Sequence, residues 1–259
     1  MIKLSLKNKN FYVAIDFDRT ITADNGIDSW GAVAQTKYVG QEIAKEMEEL
    51  YVKYRPIEID YSISKKDKEK YMEKWYIDCM DLYYKYNLTK HKMTQSIENS
   101  NLIFRSGAKE FLKLMYENDI PVIILSAGIG NAIEQFLKDN NCLFKNMYII
   151  SNFIEFDKNE KAKKFDNSKI IHTLNKNMKG HLTKEFQEKM SNKEYRLLIG
   201  DLIEDIKMVD ENELNKTLKI GILDNNVKKN YNIYKKYFDI VLRKEDATFY
   251  NIVKLVFGL

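Results

Sequence analysis

The sequence predicts an α/β fold: a doubly wound, mostly parallel sheet interrupted near its start by a helical insertion. Three observations lead there. Short apolar runs that end in an acid or a glycine-bearing turn recur at residues 11–15, 121–125 and 195–200. Segments of helical periodicity separate the later runs, whereas residues 24–102 carry helical patterning with little strand signal. Alternating strands and helices imply a sheet covered on both faces, and such sheets bind ligands at the carboxyl ends of their strands.

The first run, Phe11-Tyr-Val-Ala-Ile15, is too short for most helices and rich in strand formers, so it reads as a buried strand. Asp16, Asp18 and Thr20 follow at once. Carboxylates beside a core carry a large desolvation cost unless a cation meets them, which points to a metal. A merely acidic turn is the competing reading of these residues taken alone.

The insertion comes next. From Gln41 to Tyr54 apolar residues recur three and four apart with charges between them. Ser64 stands as an N-cap with Asp67 in the first turn behind it, and Tyr71, Met72, Trp75 and Tyr76 form an aromatic stripe at helical spacing, which packing explains as well as ligand stacking does. A further helix is expected from Thr89 to Asn99. This block reads as a cap domain over 24–102, set into a core of residues 1–23 and 103–259.

The core resumes with a helix at 111–117 and the strand Pro121–Leu125, where proline suits the first position. Ser126-Ala-Gly-Ile-Gly-Asn131 reads as a turn leading into a helix from about Ala132 to Lys138. A hydroxyl, a glycine-bearing turn and a helix start make an anion site, although Ser126 is equally an ordinary turn residue. A strand at 148–151 and a hairpin turning at Asp157 to Glu160 follow, then Lys176, by itself a surface lysine. The strand at 195–200 ends in Asp201, and Asp205, four residues on, falls on a helix beginning near Leu202 and faces the same way. Gly200 permits a close backbone approach there. Residues 217–223 and 239–242 supply the last strands.

Bulk properties narrow the class. The 259 residues suffice for a large core, and 42 Lys and Arg against 38 Asp and Glu leave a formal charge of +4, spread along the chain. That excess does not call for a nucleic acid polymer. Cys79 and Cys142 lie far apart without metal-ligand spacing, which favours reduced thiols. The longest apolar runs fall short of a membrane span, and the opening segment lacks an apolar core of signal-peptide length. The expectation is a cytoplasmic protein without a membrane partner, a monomer or weak dimer.

Asp16-x-Asp18-x-Thr20, Ser126, Lys176, and Asp201 with Asp205 occur in the order and spacing of the four motifs of the haloacid dehalogenase-like phosphatases, which this chain resembles. Within that superfamily, Leu125-Ser-Ala-Gly-Ile-Gly130, Ile171-His-Thr-Leu-Asn-Lys176, Gly200-Asp-x-x-x-Asp-x-x-Met208 and the insertion segments Lys53–Asp60 and Tyr71–Tyr76 resemble the pyrimidine 5'-nucleotidases, the cytosolic 5'-nucleotidase III family. The resemblance covers most of the chain from Phe11 onward.

It implies a Rossmann-like catalytic core and hydrolysis of nucleoside 5'-monophosphates, UMP and CMP favoured, through an aspartyl-phosphate on Asp16 with Asp18 as acid and base. Mg²⁺ would be held by Asp16, the backbone carbonyl of Asp18 and Asp201. Ser126, Ala127 and Lys176 would bind the phosphate, Thr20 and Asp205 would support, and Glu58 and Cys79 would meet the nucleoside. Departures concern the base: Cys79 stands where relatives can carry a serine, and residues 21–26 lack an aromatic that Trp30 or Tyr38 would have to replace. A phosphatase or phosphotransferase for another small phosphate ester is the alternative, and a non-catalytic nucleotide binder on the same fold is a third reading.

Overall fold

The computed structural model describes residues 2–60, 62–178 and 182–259. Six strands form one all-parallel sheet: β1 (Phe11–Ile15), β2 (Val122–Ile129), β3 (Met147–Asn152), β4 (Tyr195–Gly200), β5 (Thr217–Leu223) and β6 (Ile240–Arg243). Their order, β3-β2-β1-β4-β5-β6, reverses direction at β1. That reversal opens the crevice at which such sheets take ligands.

Alternation along β1 shows why both faces are covered. Phe11, Val13 and Ile15 enter one core cluster, while Tyr12 and Ala14 enter a second on the opposite face. Helices α1 (Ser29–Val33), α2 (Thr36–Val39), α3 (Gln41–Ile59), α4 (Lys65–Lys85) and α5 (Lys90–Glu98) all precede β2. Of the rest, α6 (Ala108–Glu117), α7 (Gly130–Asp139) and α10 (Phe249–Phe257) pack on the first face, whereas α8 (Lys184–Ser191) and α9 (Val227–Tyr237) close the second.

The chain leaves and re-enters the core at one place. Thr22 bridges Phe104 antiparallel, the Ala23 N–H donates to the Ile103 carbonyl at 2.8 Å, and the Arg105 N–H donates to Ile21 at 2.9 Å. A second tie joins the end of the helical block to the core, where Thr89 bridges Lys161 and the Ala162 N–H donates to Leu88.

Some sequence expectations are corrected and others are met. The Ser126–Asn131 turn is instead extended backbone through Ile129, with an irregular register between Leu125 and Ile129, and α7 begins at Gly130 rather than Ala132. The periodic stretch Gln41–Tyr54 is helical, and the helix runs on through Pro56 to Ile59. The bond that Pro56 removes would have gone to Val52, which is 62% exposed, so water can satisfy that carbonyl. The short hairpin expected at Asp157–Glu160 is present, with a Phe156–Ala162 bridge flanked by Asp157 N–H to Lys161 and Lys163 N–H to Glu155, each at 2.8 Å. The helix near Leu202 is a 3₁₀ segment, Ile203–Met208.

Candidate active site

Asp16 emerges at the carboxyl end of β1 and is 3% exposed. Its Oδ1 accepts from the Lys176 ammonium at 2.6 Å, and its Oδ2 accepts from the Thr20 hydroxyl at 3.4 Å. The same ammonium donates to Asp205 Oδ1 at 2.7 Å. Asp205 Oδ2 accepts the Leu202 N–H at 2.9 Å, which folds the carboxylate back over Gly200. A Cβ at position 200 would stand 2.4 Å from that oxygen, so a side chain there is incompatible with the arrangement.

Asp201, in the first turn after β4, completes the group. Asp16, Asp201 and Asp205 each offer an oxygen within 4.8 Å of the others. Burial pushes the Asp16 carboxyl up to about 6 despite the Lys176 cation. Burial, then the charges of Asp16 and Asp205, raise Asp201 well above the usual carboxylate range. Burial opposes the Lys176 ammonium, but Asp16 and Asp205 outweigh it and hold its pKa well above that of an ordinary lysine.

Asp18 lies in a kinked turn over Phe17–Ile21, where Arg19 has φ of 59°. Its carboxylate faces the first residue of α1: the Ser29 N–H donates to Oδ1 at 2.8 Å and the Ser29 hydroxyl to Oδ2 at 2.5 Å. That hydroxyl in turn accepts the Ile129 N–H at 3.1 Å. Burial, with the nearby Asp28 charge, pushes the Asp18 carboxyl up to about 7. Gly128 makes the approach possible, because a Cβ there would come within 1.9 Å of the Ser29 hydroxyl oxygen. Asp18 therefore stands outside the acidic cluster through its side chain, and the sequence reading gave it only a backbone carbonyl toward a metal.

At the end of β2 the Ser126 hydroxyl accepts the Gly128 N–H at 3.0 Å, and the Ala127 carbonyl accepts from the Trp30 indole N–H at 3.2 Å and the Asn152 amide at 3.0 Å. The irregular register leaves residues 126–128 without ladder partners on β3, and Ser126, Ala127 and Gly128 line the same cavity as Asp16.

One buried cation sets the turn between Asp18 and the helical block. Arg105 donates to the carbonyls of Arg19 at 2.5 Å, Thr20 at 3.0 Å and Ala247 at 3.1 Å, and pairs with Asp224 at 2.7 Å. Its side chain is 6% exposed and that of Asp224 9%. Neither Ser29 nor Arg105 figured in the sequence reading. The Asp28-Ser29 pair before Trp30 and Arg105-Ser106-Gly107 at the return to the core were the local signals available.

Above these groups lies a cavity of about 1070 Å³. Asp16, Asp18, Ser126, Ala127, Lys176 and Asp201 line its floor end; Glu58, Cys79, Trp30 and Tyr76 line the part contributed by the helical block. The structure thus brings every one of those sequence-predicted residues to one cavity, with Thr20 and Asp205 just behind. Trp30 lines it and Tyr38 does not. Glu58 is already engaged, its Oε2 paired with Arg55 and its Oε1 accepting the Thr173 hydroxyl at 3.2 Å. Burial pushes the Cys79 thiol far up, so it meets a ligand as a neutral, weakly polar surface.

The donor set fits a hard divalent cation. Three carboxylates, those of Asp16, Asp201 and Asp205, gather within 4.8 Å of one another, two of them bound to the Lys176 ammonium, and burial limits the solvent that could disperse their charge. Clustered oxygen donors with a surplus of negative charge suit magnesium better than softer metals.

Comparison with known proteins agrees with this geometry. A family model described as pyrimidine 5'-nucleotidase (UMPH-1) matches residues 18–257. The 7-methylguanosine phosphate-specific 5'-nucleotidase of Homo sapiens is 32% identical over 241 residues, covering 91% of this chain and 80% of that protein. Its counterpart in Drosophila melanogaster is 29% identical over 238 residues, covering 89% and 74%. Cytosolic 5'-nucleotidase IIIB, solved bound to cytidine, superposes with a TM-score of 0.81 at 27% identity, over 96% of this chain and 85% of that one. A substrate-bound phosphoserine phosphatase, at 16% identity and a TM-score of 0.59 over 98% of this chain and 100% of that one, shares the fold alone.

Proposed function

This chain belongs to the pyrimidine 5'-nucleotidase family and is a nucleotide 5'-nucleotidase, a phosphoric monoester hydrolase; we propose that it works through an aspartyl-phosphate on Asp16, with residues 24–102 as cap and the remainder as catalytic core. The observation that carries this reading is the buried Asp16–Lys176–Asp205 group at 2.6 and 2.7 Å on the floor of a cavity whose far wall holds Glu58.

Asp16 attacks phosphorus, the bond to the nucleoside 5' oxygen breaks, and Asp18 protonates that oxygen as it leaves. Water then attacks the aspartyl-phosphate while Asp18 takes its proton, which returns Asp16 as carboxylate and releases phosphate. Lys176, with the hydroxyl and backbone N–H groups of Ser126 and Ala127, neutralises the phosphoryl oxygens as charge spreads over them. Thr20 steadies Asp16, and Asp205 steadies Lys176. A Mg²⁺ held by Asp16, Asp201 and the backbone carbonyl of Asp18 would supply further charge neutralisation.

Glu58 and Cys79 face the nucleoside. A carboxylate accepts from base N–H donors, such as the amine of cytosine or the ring N–H of uracil, which supports CMP and UMP as substrates. The names of the human and fly relatives, and a cavity of about 1070 Å³ that has room for a purine, support 7-methylguanosine monophosphate as a second reading. The similarity to cytosolic 5'-nucleotidase IIIB supports a cytoplasmic location for this chain.

The test is phosphate release from CMP, UMP, 7-methylguanosine 5'-monophosphate, GMP and AMP, with phosphoserine and p-nitrophenyl phosphate alongside, in Mg²⁺ and in EDTA. Metal-dependent release led by CMP or UMP supports the first reading, and release led by the methylated purine supports the second. Release from the simple esters alone overturns both.

A further inference from the structure

The segment from Ile170 to Lys176 connects the two ends of the cavity. It is braced within itself: the His172 N–H donates to the Asn175 side chain at 2.7 Å, the Leu174 N–H to His172 Nδ1 at 3.2 Å, and the Asn175 amide to the Ile170 carbonyl at 2.9 Å. Lys207 adds an outside anchor by donating to the Leu174 carbonyl at 2.5 Å. One side chain of this turn, Lys176, reaches inward to Asp16, while another three residues earlier, Thr173, reaches across to Glu58 on α3. Thr173 is 8% exposed and lines the cavity beside Glu58.

The Glu58 carboxylate is held on both oxygens, by Arg55 from its own helix and by Thr173 from the core. Its backbone carbonyl is held as well, by the Lys68 ammonium at 3.0 Å. Arg55 and Lys68 travel with the helical block, so they fix Glu58 only within that block. The Thr173 hydroxyl fixes it against the core, three residues from the lysine that meets the phosphate.

We propose that Thr173 is a specificity-determining residue which, through the braced 170–176 turn, sets the distance between the base-accepting carboxylate of Glu58 and the phosphate-binding ammonium of Lys176. The proposal rests on the nucleotidase reading above. A fixed separation between an acceptor at one end and a cation at the other selects phosphate esters of nucleoside length, because a shorter ester meets the phosphate end alone and draws no binding energy from Glu58. Each carboxylate oxygen has more than one acceptor direction, so Glu58 receives a base N–H without releasing Thr173.

The test compares kcat/KM for the best nucleoside monophosphate with that for p-nitrophenyl phosphate in the wild type, Thr173→Val and Thr173→Ser. Valine has nearly the shape of threonine and lacks only the hydroxyl, so thermal unfolding checks that the variant is folded. The ratio is expected to fall about tenfold in Thr173→Val, mainly through KM for the nucleotide, and to stay within about threefold of wild type in Thr173→Ser. In a Glu58→Ala background the Thr173→Val change should no longer lower the ratio. A folded Thr173→Val protein that keeps the wild-type ratio overturns the proposal, as does an equal loss on both substrates, which would mark a packing role. A wild type that shows no preference for nucleotides over the simple ester overturns the nucleotidase reading instead, and this proposal with it.

Discussion

Ser29, the first residue of α1, holds both oxygens of Asp18, through its N–H at 2.8 Å and its hydroxyl at 2.5 Å, so the residue we propose as acid and base is oriented by the start of the helical block. The Ser29 side chain is fully buried and also receives the Ile129 N–H. Ser29→Ala removes the hydroxyl and keeps the backbone bond. We expect kcat to fall about tenfold to a hundredfold with KM for the nucleotide little changed, since a misplaced acid and base affects the transition state more than ground-state binding. Steady-state kinetics on the purified variant decides; a kcat equal to wild type would remove Ser29 from the mechanism.

Asp16→Asn keeps the shape of the proposed nucleophile and removes the reactivity that the mechanism requires of it. Turnover should fall on the order of 10⁴-fold or more while circular dichroism stays that of the wild type. Retained activity in a preparation free of contaminating phosphatase would end the aspartyl-phosphate mechanism.

Crowded carboxylates around Lys176 also predict a response to metal. Mg²⁺ at a hundred times its dissociation constant should stabilise the folded protein by about 2.7 kcal/mol, visible as a rise in Tm that EDTA reverses. The Asp201→Asn variant should show a much smaller rise. An unchanged Tm in wild type would count against a metal at this cluster.

Arg105 and Asp224 form a buried pair, and Arg105 also satisfies three backbone carbonyls. Arg105→Ala leaves Asp224 buried without that partner and the carbonyls of Arg19, Thr20 and Ala247 without a side-chain donor. The expected cost is about 3–5 kcal/mol in urea unfolding, accompanied by a drop in kcat because the turn carrying Asp18 loses its clamp. A loss below about 1 kcal/mol would show that water replaces the guanidinium.

His172 gives a pH dependence of stability with a definite sign. Burial, with the Lys207 charge beside it, lowers its pKa from 6.5 to about 4. The unfolded chain therefore binds more protons than the folded one between those values, and stability rises with pH across that window. The contribution is full above about 6.5 and is lost as pH falls through about 4, a change of roughly 1–3 kcal/mol. Unfolding midpoints of wild type and His172→Asn between pH 4 and 7 check it: the difference between them should narrow toward acid and widen toward neutrality.

Much of the fold was legible because its strands are short, apolar and sharply bounded. Phe11–Ile15 and Tyr195–Gly200 could be read almost to the residue, since each ends where carboxylates begin. The stretch from Ser126 to Ile129 could not, because its extended backbone is held by side chains distant in sequence, Ser29 and Ser151 among them, rather than by local propensity. The short hairpin near Asp157 was legible from its turn residues, but its docking against Leu88 and Thr89 was not, because that contact joins segments about 70 positions apart.

The sequence by itself determined the candidate reacting groups. Asp16, Asp18, Ser126, Lys176, Asp201 and Asp205 lie at strand ends or in spaced motifs whose chemistry restricts residue type, and a parallel sheet gathers such ends into one crevice. Tertiary structure alone decided how those groups are held. That Lys176 spans Asp16 and Asp205, that Ser29 orients Asp18, that Arg105 clamps the turn and that Thr173 meets Glu58 are contacts between residues as many as 160 positions apart. Hydrogen bonds act over about 3 Å of space, and no periodicity along the chain encodes which distant side chains packing will bring to that distance.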